Sequence, residues 1–209
     1  MIKDILNENL WRLKCPYSMT PEFIVIHNTL NDASARNEVA YMKSNSDSTS
    51  FHFAVDNIDV VQALPLNRNA WHAGDGNNGE GNRKGIAIEI CYSKSGGEKF
   101  LKSEENAAKL TAQLLMERGW SIDRVKKHQD FSGKYCPHRT LDMGWDRFLK
   151  KVEAYIVKEL TTINDIVWEL GHRGIVTDKD GMIAEMNKNP NGRLYWLARK
   201  CINYIRGIE

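Results

Sequence analysis

Short apolar runs rich in β-branched residues alternate along the chain with stretches whose apolar positions recur every three or four residues. Glu22-Phe-Ile-Val-Ile-His27, bounded by Pro21 and the polar Asn28-Thr29, reads as a buried strand ending in a histidine. Residues 33–45 read as a helix with Val39 and Met42 on one face, and residues 50–56 and 59–64 as two strands separated by Asn57-Ile58, a hairpin pattern. Over residues 85–92, alternation puts Ile86, Ile88 and Ile90 on one face and Ala87, Glu89 and Cys91 on the other. A carboxylate therefore shares a face with small residues. A helix is predicted next, with Ser103 as its cap, Glu104 and Glu105 at its positive end, Ala107, Leu110, Thr111, Leu114 and Leu115 as its stripe, and Gly119 as its stop. Trp145, Phe148, Leu149, Val152, Ile156 and Leu160 make a second stripe. The pattern predicts an α/β domain over residues 1–160, a mixed central β-sheet flanked by helices.

Residues 161–209 predict a small three-helix module. Thr162-Ile-Asn-Asp165 has the form of a capping box, opening a helix with Ile163, Ile166, Val167 and Leu170 inward and stopped by Gly171 and Gly174. Residues 178–187 carry Met182, Ile183 and Met186. After the Asn189-Pro-Asn-Gly192 turn, a third stripe runs through Leu194, Leu197, Ala198, Cys201, Ile202 and Ile205. A module this small buries little core alone and is predicted to pack on another surface.

Composition narrows the class. With 42% hydrophobic and 27% charged residues, the 209-residue chain is globular in character. Its 29 Lys+Arg against 27 Asp+Glu, with no basic run interleaved with aromatics, predict no nucleic-acid partner. No apolar stretch is long enough for a transmembrane segment, and the first ten residues hold acids where a signal peptide needs an apolar run. The expectation is synthesis in the cytoplasm without a signal peptide. Cys15, Cys91, Cys136 and Cys201 form no CxxC pair, which argues against a disulfide scaffold; the first two and the last read as buried thiols.

Two motif matches fail on context. Gly74-Asp-Gly76-Asn-Asn-Gly79 fits the dinucleotide string but follows no strand and leads toward a strand, so it reads as a surface loop that lines a groove. Asp178-Lys-Asp180-Gly181 lacks the acids a calcium loop requires, with Val176 and Asn187 in their places. The informative cluster is His128-Gln-Asp-Phe-Ser-Gly-Lys134-Tyr-Cys136-Pro-His138, together with His27. Histidine nitrogen and cysteine thiolate bind zinc, and a catalytic zinc takes three protein ligands with one open position. By spacing alone, the same histidines read more readily as hydrogen-bonded core residues than as ligands.

The order of these pieces resembles a known family. His27 closing an Ile-Val-Ile strand, the Ser50-Phe-His-Phe run, Trp71-His72-Ala73-Gly74, Ile86-Ala-Ile-Glu89, and His128 to Cys136 with Lys134 two before the cysteine are similar to type 2 N-acetylmuramoyl-L-alanine amidases, the superfamily of phage lysozymes and peptidoglycan-recognition proteins. The resemblance spans roughly residues 12–157 and is greatest to amidase endolysins of Bacillus and clostridial phages.

The resemblance implies one zinc ion held by His27, His128 and Cys136, with Glu89 and Lys134 as the acidic and basic catalytic residues. It implies hydrolysis of the amide joining N-acetylmuramic acid to L-alanine in bacterial peptidoglycan, by a phage or prophage endolysin acting on the wall after release. His52, Trp71 and His72 are candidate substrate contacts, His52 being equally a core or supporting histidine. Some family members carry a catalytic tyrosine where Phe51 stands, and Phe51 has no hydroxyl. A non-catalytic recognition protein and a bacterial autolysin or recycling amidase are the rivals; Cys136, which completes the ligand set, speaks against the first. The C-terminal module is expected to bind a cell-wall ligand or to mediate oligomerisation.

Overall fold

Strand Phe23–Asn28 is buried at all six positions, because both of its faces are covered by helices and loops. The computed structural model describes residues 1–159 and 163–188, together with Ala198. Among these, six strands form one mixed sheet: β1 (Ile2–Lys3), β2 (Phe23–Asn28), β3 (Phe53–Val55), β4 (Val60–Gln62), β5 (Gly85–Ile90) and β6 (Val125–Lys127), in the spatial order β1-β4-β3-β5-β2-β6. The β3–β4 hairpin is antiparallel and the other neighbours run parallel. Helices intervene in the order α1 (Trp11–Lys14), α2 (Ala35–Ser44), α3 (Glu80–Lys84), α4 (Gly97–Arg118), α5 (Gln129–Ser132), α6 (His138–Asp142), α7 (Trp145–Glu159), α8 (Ile163–His172) and α9 (Lys179–Lys188).

The two faces of the sheet bury different cores. Ile24, Ile26, Ile86, Ile88 and Ile90 pack under Ala107, Leu110 and Leu114 of α4 and Phe148, Val152 and Ile156 of α7. Ala54, Ala87 and Cys91 lie on the opposite face beneath Val39 and Met42 of α2. Bulk is thus on one side and small residues on the other, which leaves depth above the small-residue face for a cleft.

The α4 helix differs from its predicted start. It begins at Gly97, so Ser103 lies inside it, with its hydroxyl bonded to the Lys99 carbonyl one turn back. Glu104 is buried mid-helix rather than at the positive end, where Arg147 and Lys151 of α7 neutralise it at 2.7 and 3.1 Å. Gly119 ends the helix as expected, in the left-handed conformation at φ 66°. The hairpin turn is held by Asp56, whose Oδ1 accepts the Ile58 and Asp59 amides. The glycine-rich loop leads first into the five-residue α3 and only then into β5, a correction to its predicted exit.

Ile166, Val167 and Leu170 of α8, Met186 of α9 and Ala198 are buried in the same core as α4 and α7, and Arg173 reaches Glu153 of α7 at 3.4 Å. Asp178 caps α9 by accepting the Gly181 amide, which gives that acidic stretch a helix-capping task. The α8 helix runs through Gly171 to His172. The capping box at Thr162 and the third stripe, Ala198 apart, lie outside the described residues, as does Cys201. Among the described residues, no helix is long and apolar enough to cross a membrane.

Candidate metal centre and its cleft

Parallel pairing of β2 with β5 sets His27 beside Glu89. Paired residues in adjacent strands project to one face, here the side of small residues and α2. Beyond the end of β6, His128 continues the alignment through its amide to the Ile26 carbonyl at 3.3 Å. Cys136 arrives on the loop between α5 and α6, closed by the Gln129 amide on the Cys136 carbonyl at 3.0 Å. Asn28 fixes that loop from below: its Oδ1 accepts the Arg139 and Thr140 amides at the start of α6. Arg139 then clamps the Ser93 and Lys94 carbonyls, and His138 approaches Ser93 O at 3.2 Å.

These constraints bring together the three predicted ligands. His27 Nδ1 and His128 Nδ1 are 3.1 Å apart, Cys136 Sγ is 4.0 Å from His27 Nδ1, and the three donor atoms lie within 4.8 Å of one another. Tetrahedral zinc with ordinary bond lengths sets neighbouring ligand atoms about 3.3–3.6 Å apart. All three side chains are buried. Burial first, then the neighbouring cationic groups, hold the imidazoles of His27 and His128 below their usual range, as a neutral metal ligand requires. Burial and then the Glu89 charge push the Cys136 thiol up to about 12, so a cation is what would release its proton. The donor set, its spacing and its protonation fit zinc.

Glu89 is half-buried on a central strand, with its Oε2 buried and without a hydrogen-bond partner. Burial, then the charge of Glu38, raise its carboxyl to about 8 against a smaller opposing pull from Lys134. A carboxyl so placed accepts and returns a proton near neutrality. Lys134 is exposed on the same loop as Cys136.

His72 and Trp71 reach the cleft, whereas His52 does not. His72 Nδ1 sits 2.9 Å from His27 Nε2, and Asn82 Oδ1 secures the His72 and Ala73 amides at 2.8 Å each. Trp71 is half-buried and meets Tyr17 edge-on at 6.0 Å. His52 is fully buried, its Nδ1 accepting the Ala87 amide and its Nε2 facing the Arg68 carbonyl. It braces β5 from behind and offers no surface to a substrate. Gly74, at φ 67°, lets the Trp71–Gly74 turn approach closely: a Cβ there would meet Ser132 Oγ at 3.2 Å and His128 Nε2 at 3.6 Å.

Two arms of the cleft meet over the metal centre, sharing Thr49, His72, His128 and Lys134. The first, about 440 Å³, includes Glu89, Glu38 and Phe51; the second, about 990 Å³ and more open, includes Trp71, Tyr17 and the glycine loop. Asn28 and Asn82, which position the site, were not singled out by sequence. An asparagine one residue after a ligand and another at the entry to a strand were the available signals.

The architecture is a mixed α/β domain carrying a buried His–His–Cys centre beside a carboxylate. Its family follows from comparison: the N-acetylmuramoyl-L-alanine amidase profile matches residues 17–139, and the chain belongs to that family. It is 62% identical over 159 residues to the N-acetylmuramoyl-L-alanine amidase XlyB of Bacillus subtilis, covering 76% of this chain and 49% of that one. With CwlA of the same organism the figures are 58%, 76% and 58%. The chain thus spans about half the length of the curated relatives it matches. Among solved structures, PlyL is 49% identical with a TM-score of 0.71, covering 73% of this chain and 96% of that one. The PlyG catalytic domain is 50% identical with a TM-score of 0.70, covering 73% and 93%.

Proposed function

We propose that this chain hydrolyses the amide between N-acetylmuramic acid and L-alanine in bacterial peptidoglycan, in the manner of an endolysin. The observation that carries the reading is the convergence of one donor atom each from His27, His128 and Cys136 within 4.8 Å, in a cleft that also holds Glu89 and Lys134. Zinc bound there supplies Lewis acidity, which acidifies water and polarises a carbonyl. Glu89 takes the proton of the attacking water and delivers it to the leaving nitrogen. Lys134, at the mouth shared by both arms, steadies the oxyanion of the tetrahedral intermediate. Phe51 lines the cleft without a hydroxyl, so proton transfer falls to Glu89.

The helices after residue 160 serve in this reading to hold the enzyme on its wall through a cell-wall ligand, and the enzyme acts on the wall after release from the producing cell. Hydrolysis of purified peptidoglycan by the wild-type and Cys136→Ser proteins tests the catalytic reading, with zinc content and new L-alanine amino termini measured together. About one zinc per chain and released termini, both lost in the variant, support it. Wall binding without released termini overturns it in favour of a recognition protein.

A further inference from the structure

Lys14, the last residue of α1, is 0% exposed, and the chemistry above makes no use of it. Its ammonium donates to Asn45 Oδ1 at 2.7 Å and to the Thr49 carbonyl at 3.4 Å. Both partners are uncharged. Burial draws the group below the usual lysine range, against a smaller opposing pull from Asp47. A cation kept in such a place costs more stability than an apolar side chain of the same length, so packing alone does not account for it.

The segment that Lys14 grips, between α2 and β3, reads Ser44-Asn-Ser-Asp-Ser-Thr-Ser50, without one apolar side chain to bury. Residues 46–49 are exposed and form neither helix nor strand. The first half is tied back to α2: the Ser44 hydroxyl and Asn45 Nδ2 donate to the Tyr41 carbonyl at 3.2 and 2.8 Å, and Asn45 Oδ1 also accepts the Asp47 amide at 3.0 Å. The far end is tied at Ser50, whose amide donates to the Trp71 carbonyl at 3.0 Å. Lys14 reaches across from α1 to both halves. Its backbone holds the neighbouring turn as well, because the Ser50 hydroxyl donates to the Lys14 carbonyl at 2.6 Å and accepts the Trp71 amide at 2.8 Å.

This segment is a wall of the cleft. Asn45, Asp47 and Thr49 line the arm of Glu89, Ser48 and Thr49 line the arm of Trp71, and Thr49 stands where the two meet, whereas Lys14 lines neither. A polar loop without an anchor samples many conformations, and that freedom is lost when a substrate binds against it. Resting on the amidase reading, we infer that Lys14 is a positioning residue of the hydrolysis: its buried ammonium fixes the loop of residues 44–50 before substrate arrives, so that binding does not have to order that wall. It acts through Asn45 and Thr49 and belongs to neither the ligand set nor the groups that move protons. Its effect therefore falls on KM.

Steady-state kinetics on a soluble muramoyl-peptide test this role, with zinc content, melting temperature and cleavage at Asp47 by an aspartate-specific protease measured on the same whole chains. Lys14→Met keeps the length of the side chain and removes its charge and donors. The variant is expected to keep its zinc and to melt at or above the wild-type temperature, since no cation is left buried. Its KM is expected to rise about three- to tenfold with kcat within about twofold, and cleavage at Asp47 to be about three- to tenfold faster. Asn45→Ala removes the other end of the contact and is expected to raise KM by a similar factor, and the double variant to be no worse than the worse single one. An unmoved KM in Lys14→Met, or a double variant in which the two effects multiply, overturns the role and leaves the amidase reading intact. So does loss of zinc or a fall in kcat alone, which would assign Lys14 to the metal centre rather than to the wall. Should Lys14→Met not fold, Asn45→Ala with KM and cleavage both unmoved overturns the role in its place. A wild-type protein that hydrolyses no muramoyl-peptide overturns both readings.

Discussion

His72 Nδ1 lies 2.9 Å from His27 Nε2, on the side of the imidazole away from the metal centre. Nδ1 of His27 is turned toward His128 and Cys136, so with a metal bound there the proton of His27 would sit on Nε2 and be donated to His72. The contact would fix both the tautomer and the ring angle of His27 as a candidate ligand, and Asn82 fixes His72 in turn through two backbone amides. Partners of this kind typically contribute about 10–100-fold in metal affinity. His72→Ala is therefore expected to weaken zinc binding by that factor in a chelator competition assay, and His72→Gln, whose carbonyl still accepts the proton, to recover most of it. Unaltered zinc affinity with reduced hydrolysis would instead make His72 a substrate contact.

Glu89 offers the opposite separation. It does not belong to the ligand set, and its Oε2 is buried with nothing to bond. Glu89→Gln replaces the titratable carboxyl by a neutral amide of the same shape, so the variant is expected to keep its zinc and its melting temperature. It loses the group that moves the proton, and kcat is expected to fall by about 10²–10⁴. Metal analysis alongside turnover checks this, and loss of zinc in the variant would show that Glu89 supports the centre rather than the reaction.

Much of this site was legible in the sequence, for particular reasons. Glu89 stood on a run whose alternation declared its face, His27 closed a continuous apolar run that read as a buried strand, and His128, Lys134 and Cys136 were close enough in sequence to read as one cluster. The parallel register that sets His27 against Glu89 was not legible, because parallel pairing leaves no local turn signal. The edge strands β1 and β6, two and three residues long, carry too few positions for a periodicity. Glu104 misled for a physical reason: acids near a serine look like a helix start, and only the tertiary partners Arg147 and Lys151 reveal a buried carboxylate. His52 was ambiguous because a histidine in a strand reads the same whether it faces a cleft or a carbonyl.

The buried carboxylate gives a stability test. Glu104 is fully buried, and among the described residues the cations that compensate it are the partly exposed Arg147 and Lys151 across the α4–α7 contact. Arg147→Ala with Lys151→Ala strands the charge and is expected to cost about 3 kcal/mol or more in denaturant unfolding. Adding Glu104→Leu to that pair is expected to restore much of the loss, since an apolar side chain needs no compensation in this core. A triple variant no more stable than the double would mean that the ion pairs are not the cause.

His52 sets a pH limit on the fold. Its ring is buried between the Ala87 amide and the Arg68 carbonyl, and burial lowers it to about 4 from an ordinary 6.5. Between those values the unfolded chain binds the proton and the folded chain does not, so stability is present above about 6.5 and falls as pH drops toward 4. The loss attributable to this residue is about 3 kcal/mol in full. Denaturant unfolding from pH 7.5 to 4 is expected to show a shallower decline for His52→Gln than for the wild type, after allowing for the lower starting stability of the variant. Parallel declines would place the acid sensitivity elsewhere.

The C-terminal helices invite truncation after residue 160. Ile166, Val167 and Leu170 cover the same core as Phe148, Val152 and Ile156, and Arg173 bridges Glu153, so their removal uncovers apolar surface of α4 and α7. A lower melting temperature is therefore expected whatever the helices do for function. The metal centre rests on β2, β5 and the loop between α5 and α6, all before residue 160, so zinc content and hydrolysis of soluble fragments are expected to persist at temperatures where the shortened protein stays folded. Sedimentation with intact purified walls then separates the two roles of the helices. Binding that falls while soluble turnover holds assigns them to anchoring on the wall. Binding unchanged from the full chain confines them to the packing role that their buried isoleucine, valine and leucine already fill.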